Sequence, residues 1–206
     1  MTPRMNDRQV NGYYQVKSRE HRKKYFLKFF KTFIPTHFFA IHLRAKRIRP
    51  ELGDWKQIMI VALWKKTIIA FQILPKGTTV DYSVYLDFLR HRLLPEVEKK
   101  KFGRPIILHD NAKPHKHRVV REWLMAKRWE ELEHPPYSPD MSPPDMDAIY
   151  RIKAPNKGKL FQTENELFDD YRKTIMDINE KHESKGIDML PDRWRAISIA
   201  RGKYVE

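Results

Sequence analysis

The chain has 206 residues, of which 41% are hydrophobic and 12% aromatic, and it carries a formal net charge of +15. This composition excludes a disordered chain and allows one sizeable folded domain. Cysteine is absent, which excludes disulfides, zinc–thiolate sites and cysteine nucleophiles. No apolar run is long enough to span a membrane, no signal peptide is expected, and the excess of Lys and Arg favours DNA or RNA as a partner.

The basic excess is concentrated in residues 1–50, which hold 13 Lys or Arg against Asp7 and Glu20. Residues 19–33 contain four phenylalanines with helical spacing, Phe26, Phe29, Phe30 and Phe33. Pro35 is expected to end this helix. A helix that packs this stripe into the core is favoured over one that binds a membrane surface or a partner protein. We therefore predict a basic, Phe-rich and partly helical N-terminal segment.

Five stretches have the length and composition of strands: 38–44, 58–64, 67–74, 105–110 and 129–137. Helical periodicity predicts further elements at 79–100, 114–128, 145–152, 164–183 and from 189 onward. A kink is expected in the first of these helices at Pro95. The order of the elements predicts an α/β fold with an antiparallel start and parallel additions.

Two acidic segments stand out in the middle of the chain. HDNAKPH places Asp110 at the end of the fourth strand, and HPPYSPDMSPPD places Asp145 in a proline-rich turn, with 34 residues between them. Ligands gather at the carboxyl ends of strands in open α/β sheets, and two carboxylates can hold a divalent metal ion. Taken singly, Asp110 can equally be a turn residue, and Asp145 an acid at a helix start.

The strings around these aspartates resemble the catalytic signatures of mariner-type (Tc1/mariner) transposases, HDNARPH and HPPYSPDLAPSD, which have the same spacing. Three further blocks resemble the family in order: IMIVALWKKTIIAFQILPKGTTV (58–80), the GKxF turn (158–161) and GIDMLPDRWRAISIARGKYVE (186–206). The resemblance covers about residues 56–206. It implies that residues 51–206 form a transposase catalytic domain after the N-terminal segment 1–50.

The resemblance implies an RNase H-like (retroviral integrase-like) mixed sheet with flanking helices, whose first strand we expect to be incomplete. In the family, three acids hold two Mg²⁺ or Mn²⁺ ions for phosphoryl transfer on DNA. By match, Asp110 is the second catalytic and metal-binding acid and Asp145 the third. His115 also matches a family position, but a solvated histidine at a helix start is favoured there. Asp140 and Asp147 are neighbouring acids, and Asp147 ranks second to Asp145.

The first catalytic acid of the family lies in a strand that ends in GDExW, and this chain has no such motif. If residues 38–44 are that strand, the acid is expected near Arg44 to Lys46. Glu20 and Asp54 are possible surrogates. The helix-turn-helix region of the family is also missing, so the chain resembles an N-terminally truncated, degenerate transposase.

These features predict a nuclear, DNA-binding transposase remnant that is catalytically impaired and holds Mg²⁺ or Mn²⁺ weakly or at a single site. One alternative is an active metal-dependent DNA endonuclease or strand transferase, with Glu20 or Asp54 as the third ligand. Another is a host-recruited protein-interaction module. Double-stranded DNA is the expected partner, a homodimer is allowed, and neither a membrane nor a small-molecule substrate is expected. DNA affinity would come mainly from phosphate contacts, which predicts a steep dependence on salt.

Overall fold

A computed structural model describes the residues 38–48, 55–101, 104–136, 138–157, 159, 161–201 and 203. The helix predicted over residues 19–33 lies outside them, as do the candidate acids Glu20 and Asp54. The boundary predicted between residues 50 and 51 therefore stays a prediction, although the first strand begins before it, at Phe38.

The centre of the fold is a five-stranded mixed sheet in the order β3-β2-β1-β4-β5. Its strands are β1 (Phe38–Ile48), β2 (Trp55–Trp64), β3 (Thr67–Ile73), β4 (Ile106–His109) and β5 (Glu130–Leu132). The pairs β1–β2 and β2–β3 are antiparallel, whereas β1–β4 and β4–β5 are parallel. The predicted antiparallel start and parallel additions are confirmed.

The sheet is flanked by α-helices α1 (Tyr82–Phe88), α2 (Leu94–Lys99), α3 (Lys113–Lys116), α4 (Arg118–Ala126), α5 (Ile149–Lys153), α6 (Glu164–Glu180) and α7 (Leu190–Ile199). Wider π-helical turns precede α2 and α5, at Leu89–Leu93 and Pro144–Ala148. Short 3₁₀ turns lie at Pro139–Met141 and Ala154–Asn156. Among the described residues, no helix is long and apolar enough to cross a membrane.

Two helical predictions need correction. The helix predicted over residues 114–128 is broken at His117, whose ψ of 139° is extended and whose ring stacks on Tyr82 at 3.8 Å. The helix predicted over residues 79–100 widens into the π-helical turn Leu89–Leu93 just before Pro95. Proline lacks an N–H group and its ring crowds the carbonyl four residues earlier, so a wider turn is a physical way to accommodate it.

Apolar side chains alternate between the two faces of the sheet, so each face has its own core. One core joins the sheet to α6, α7 and the Pro144–Ala148 turn, and the other joins it to α1, α2 and α4. The edge strand β3 is also covered by α6, because the Asn179 amide bonds both backbone groups of Ile68 at 2.7 and 2.9 Å. This contact satisfies polar groups that an edge strand otherwise exposes.

Candidate active site

Asp110 and Asp145 line the same cavity, although 34 residues separate them in the chain. Asp110 directly follows β4, and Asp145 lies in the first turn of Pro144–Ala148. The cavity has a volume of about 520 Å³, and Asn111 and His134 share its wall. The sheet topology thus brings together the two acids that the motifs select.

The carboxylate of Asp110 is held by two donors on its Oδ1 atom. The backbone N–H of Ala112 donates to Oδ1 over 2.9 Å, and His115 Nδ1 lies 2.8 Å from the same oxygen. His115 Nδ1 also lies 3.1 Å from the main-chain oxygen of Asp110. A carbonyl oxygen can only accept, so Nδ1 carries a proton. A buried ring therefore fixes a carboxylate whose side chain is 36% exposed at the cavity.

His115 is fully buried, so the prediction of a solvated histidine at a helix start is wrong. The short helix α3 packs on α1 and turns this ring inward. The ring stacks on His109 with centroids 4.6 Å apart and lies 4.3 Å from Tyr85. Its Nε2 atom has no hydrogen-bond partner in the described part of the chain.

His109 extends this buried cluster to the next strand. Its Nδ1 lies 2.9 Å from the Tyr85 hydroxyl, and its Nε2 lies 3.2 Å from Glu131 on β5. Burial lowers the pKa of His109, while the contact with His109 lowers the pKa of Glu131. A neutral His109 with its proton on Nε2 fits both neighbours, because the Tyr85 hydroxyl can then donate to Nδ1.

His134 closes the cavity from the proline-rich loop. Its Nε2 lies 3.1 Å from the carbonyl oxygen of Ser138, and its own carbonyl accepts a 2.7 Å hydrogen bond from Asn111 Nδ2. Burial lowers the pKa of His134 to about 4, even though Asp110 and Asp145 act in the opposite sense. His134 is therefore neutral at pH 7, and the Asn111 bond ties the Asp110 segment to the loop that leads to Asp145.

Asp147 is a structural residue, which supports its lower rank as a metal ligand. Its Oδ1 accepts from Arg151 Nε at 2.6 Å. Its Oδ2 accepts from three groups before α7: the N–H of Lys185 at 2.6 Å, the N–H of Gly186 at 3.1 Å and the hydroxyl of Ser184 at 3.2 Å. The other neighbouring acid, Asp140, is 3% exposed and lies in the Pro139–Met141 turn.

Gly186 allows this loop to pack against the turn that carries Asp145. A Cβ atom at Gly186 would overlap the carbonyl oxygen of Pro143. Close backbone approach is a setting in which only glycine fits. The bonds to Asp147 and this contact therefore help to fix the position of the Pro144–Ala148 turn.

Strand β1 carries no acid at the position where a third ligand is expected. Its parallel pairing with β4 ends with Ile41 opposite His109, so the next residues of the two strands are His42 and Asp110. The acid position expected near Arg44 to Lys46 stays a prediction. None of the 11 residues of β1 is Asp or Glu. At the other end of β1, Ile48 pairs with Trp55, the first residue of β2. At about 3.3 Å per residue, this end lies roughly 20 Å along the strand from His42.

No group of three His, Asp or Glu side chains able to hold a metal ion occurs within the described residues. The oxygen donors at the cavity, two carboxylates and the Asn111 amide, are of the type that Mg²⁺ and Mn²⁺ prefer. Two carboxylates suit one such ion. They do not provide the ligands for a pair of ions.

The sequence motifs selected the acids at the cavity, but they did not predict the environment of the residues that hold them. The second histidine of HDNAKPH was a signal for His115, and the first histidine of HPPYSPD was a signal for His134. Neither pattern shows that the ring is buried. For Glu131 and Tyr85 no sequence signal exists, since only the parallel pairing of β4 with β5 and the packing of α1 bring them to His109.

No protein-family model matches the chain. Among curated proteins, it is 33% identical over 165 residues to the Mariner Mos1 transposase of Drosophila mauritiana, across 73% of this chain and 46% of that protein. It is 27% identical over 159 residues to the histone-lysine N-methyltransferase SETMAR of Homo sapiens, across 73% of this chain and 23% of that protein. The chain thus spans less than half the length of these relatives.

The fold also matches solved structures. The Mos1 transposase catalytic domain with raltegravir and Mn gives a TM-score of 0.80 at 24% identity, with 100% of both chains covered. The Mos1 transposase paired-end complex with the left transposon end gives 0.81 at 23% identity, covering 100% of this chain and 66% of that one. The predicted RNase H-like mixed sheet is confirmed. The expectation of an incomplete first strand is wrong, because β1 is an 11-residue strand at the centre of the sheet.

Proposed function

The chain carries a catalytic domain of the mariner-type transposase family, and from this premise we propose that it binds duplex DNA without completing strand cleavage. The observation that carries the proposal is the composition of β1. This strand borders Asp110, and none of its residues is an acid. Among the residues that the structure describes, the cavity therefore has two of the three carboxylates that the family uses.

Asp110 and Asp145 would together hold one Mg²⁺ or Mn²⁺ ion at the cavity. Such an ion, when bound, acts as a Lewis acid on a phosphate oxygen. His115 and Ala112 orient the Asp110 carboxylate toward it, and neutral His134 adds no positive charge beside it. Cleavage by two ions needs a further carboxylate to compensate the second charge, and β1 supplies none.

DNA binding is supported by the net charge of +15 and by the family. One of the matching structures is a Mos1 paired-end complex with a transposon end, so a relative of this fold assembles on DNA. We extend this to the present chain as a proposal, together with formation of a homodimer and location in the nucleus, where duplex DNA is available.

The test is a nicking assay on supercoiled plasmid in Mg²⁺ and in Mn²⁺, run beside a filter-binding assay with the same DNA. We expect DNA binding by the unaltered chain, with no more nicking than by its Asp110→Asn variant. Robust nicking that Asp110→Asn abolishes would overturn the proposal of impaired cleavage. Failure to bind the plasmid at low salt would overturn the proposal of DNA binding.

A further inference from the structure

The edge of the sheet opposite the Asp110 cavity carries a cluster of positive charge. Asp110 follows the carboxyl end of β4, while the amino ends of β4 and β5 and the β2–β3 turn lie together at the other edge. Eight exposed cations flank these three points: Lys65, Lys66, Lys99, Lys100, Lys101, Arg104, Lys127 and Arg128. We call this set the basic edge.

Few carboxylates compensate the basic edge. Three acids lie in the same segments or against them, namely Glu98, Glu130 and Asp188. Within the described residues, only Asp188 comes within 4 Å of a cation of the edge, at 3.8 Å from Lys66. Cations elsewhere often have a close acid, as Lys159 has Asp170 at 2.9 Å.

Backbone conformation at the basic edge is unusual. Five non-glycine residues of the described chain have positive φ, and three of them belong to the edge: Lys65 at 49°, Lys101 at 54° and Arg128 at 57°. Glycine adopts this left-handed conformation with the least strain. At all three points the chain has a long cation where glycine is conformationally favoured. Glycine can therefore replace these three cations without backbone strain.

Two lysines of the basic edge lie over the ring of Trp64. The Nζ atoms of Lys65 and Lys100 lie 4.7 and 4.5 Å from the ring centroid of Trp64. Cation–π attraction holds both ammonium groups near one half-buried indole, although they repel each other. A bound phosphate backbone would relieve this repulsion.

We propose that the basic edge is a second surface for duplex DNA, separate from the cavity of Asp110 and Asp145. The edge spans β2, β1, β4 and β5, a width of about 15 Å at the usual strand spacing. About 15 Å of duplex carries on the order of nine phosphate charges on its two strands, a number comparable to the eight cations. The inference rests on the proposed DNA binding and adds a site at the opposite edge, about 13 Å or more from the cavity along β4.

The test compares two full-length triple variants that remove the same charge. Lys65→Gly/Lys101→Gly/Arg128→Gly removes three of the eight cations of the edge, at positions where glycine suits the backbone. We expect this variant to fold, which thermal melting checks. The control, Lys159→Gln/Arg172→Gln/Lys173→Gln, removes three exposed cations on and beside α6. Affinity for a 30-base-pair duplex is measured between 50 and 200 mM salt.

We expect the edge variant to lose at least tenfold in affinity and its salt slope to fall by about 2 to 3, because each lost phosphate contact contributes about 0.9. The control should keep its slope within about one contact of the unaltered chain. Equal losses in both variants would overturn the second surface while leaving DNA binding intact. Absence of binding by the unaltered chain would overturn both proposals. Displacement of the duplex by polyglutamate of equal charge at equal concentration would assign the edge to acidic proteins and overturn the DNA proposal.

Discussion

His115 Nδ1 lies 2.8 Å from Asp110 Oδ1, which places a fully buried imidazole directly behind a carboxylate of the cavity. The ring is in turn packed on His109 and Tyr85, so it has little freedom to rotate. The carboxylate is therefore oriented before any ion or DNA arrives. Loss of a group that orients a ligand in this way typically lowers metal affinity by about 10- to 100-fold.

Replacement of His115 should weaken binding of Mn²⁺ without preventing DNA binding. We expect His115→Leu to lose about tenfold or more in Mn²⁺ affinity, since the Asp110 carboxylate loses its buried donor. His115→Asn places an amide N–H near the former Nδ1 and should recover most of that loss. The affinity is measured by electron paramagnetic resonance of free Mn²⁺, with His91→Gln as an exposed control. Equal affinities for the Leu and Asn variants would argue against a positioning role.

Asp147→Asn should destabilise the fold by about 3 kcal/mol, because it breaks a buried ion pair and leaves backbone donors with a weaker acceptor. Its Mn²⁺ affinity in the folded state should stay that of the unaltered chain. Urea unfolding gives the free energy of unfolding. As a control, Asp188→Asn breaks an exposed 3.8 Å pair with Lys66 and should change that free energy by less than about 1 kcal/mol. A loss of Mn²⁺ affinity in Asp147→Asn would instead make Asp147 a ligand.

The stability of the fold should fall as the pH drops from about 6.5 to about 4. The pKa of His134 is lowered to about 4 in the fold, from 6.5 in the unfolded chain, so between these values the unfolded state binds more protons. At pH 5 the cost is about 2 kcal/mol relative to pH 7. Urea unfolding at both pH values checks this.

His134→Gln keeps an N–H for Ser138 and should remove about 2 kcal/mol of this pH dependence. Burial of His109 contributes in the same sense, so part of the dependence should remain in the variant. An unchanged difference between pH 5 and pH 7 in His134→Gln would show that His134 titrates normally in the fold.

The amino-acid pattern alone predicted those strands whose composition is determined by burial. Residues 58–64 are a continuous apolar run because both faces of β2 are covered, and this composition predicts a strand at once. The motifs and their spacing selected Asp110 and Asp145, which line one cavity in the fold. The burial of His115 was missed because it depends on a four-residue helix that ends at His117, and so short a helix has no periodicity to detect.

The register between β1 and β4 was not predicted from the sequence either. The pairing of β1 with β4 ends at Ile41 and His109, so the residues that follow are His42 and Asp110, and this register depends on how the whole sheet packs. A shift of a few residues along a strand decides which position can complete a metal site. Only the assembled sheet contains that information.

An acid introduced on β1 should add a metal ligand and increase strand cleavage. Ala40 packs in the same core as Ala148 and Ile149, which follow Asp145 in the chain. Successive positions of a strand alternate between its faces, so position 42 lies on the same face of β1 as Ala40. We expect His42→Asp to bind a second Mn²⁺ and to nick plasmid at least tenfold faster than the unaltered chain. Leu43→Asp places the acid on the opposite face and should do neither. Equal behaviour of the two variants would remove the assignment of this position.

The central claim, a site with two carboxylates for one ion, is tested most directly by counting Mn²⁺ ions bound to the unaltered chain by electron paramagnetic resonance. We predict one ion per chain at saturation, and none at the same concentration in either Asp110→Asn or Asp145→Asn. Two ions per chain that are both lost in Asp110→Asn would contradict the account, because a third ligand would then complete the site.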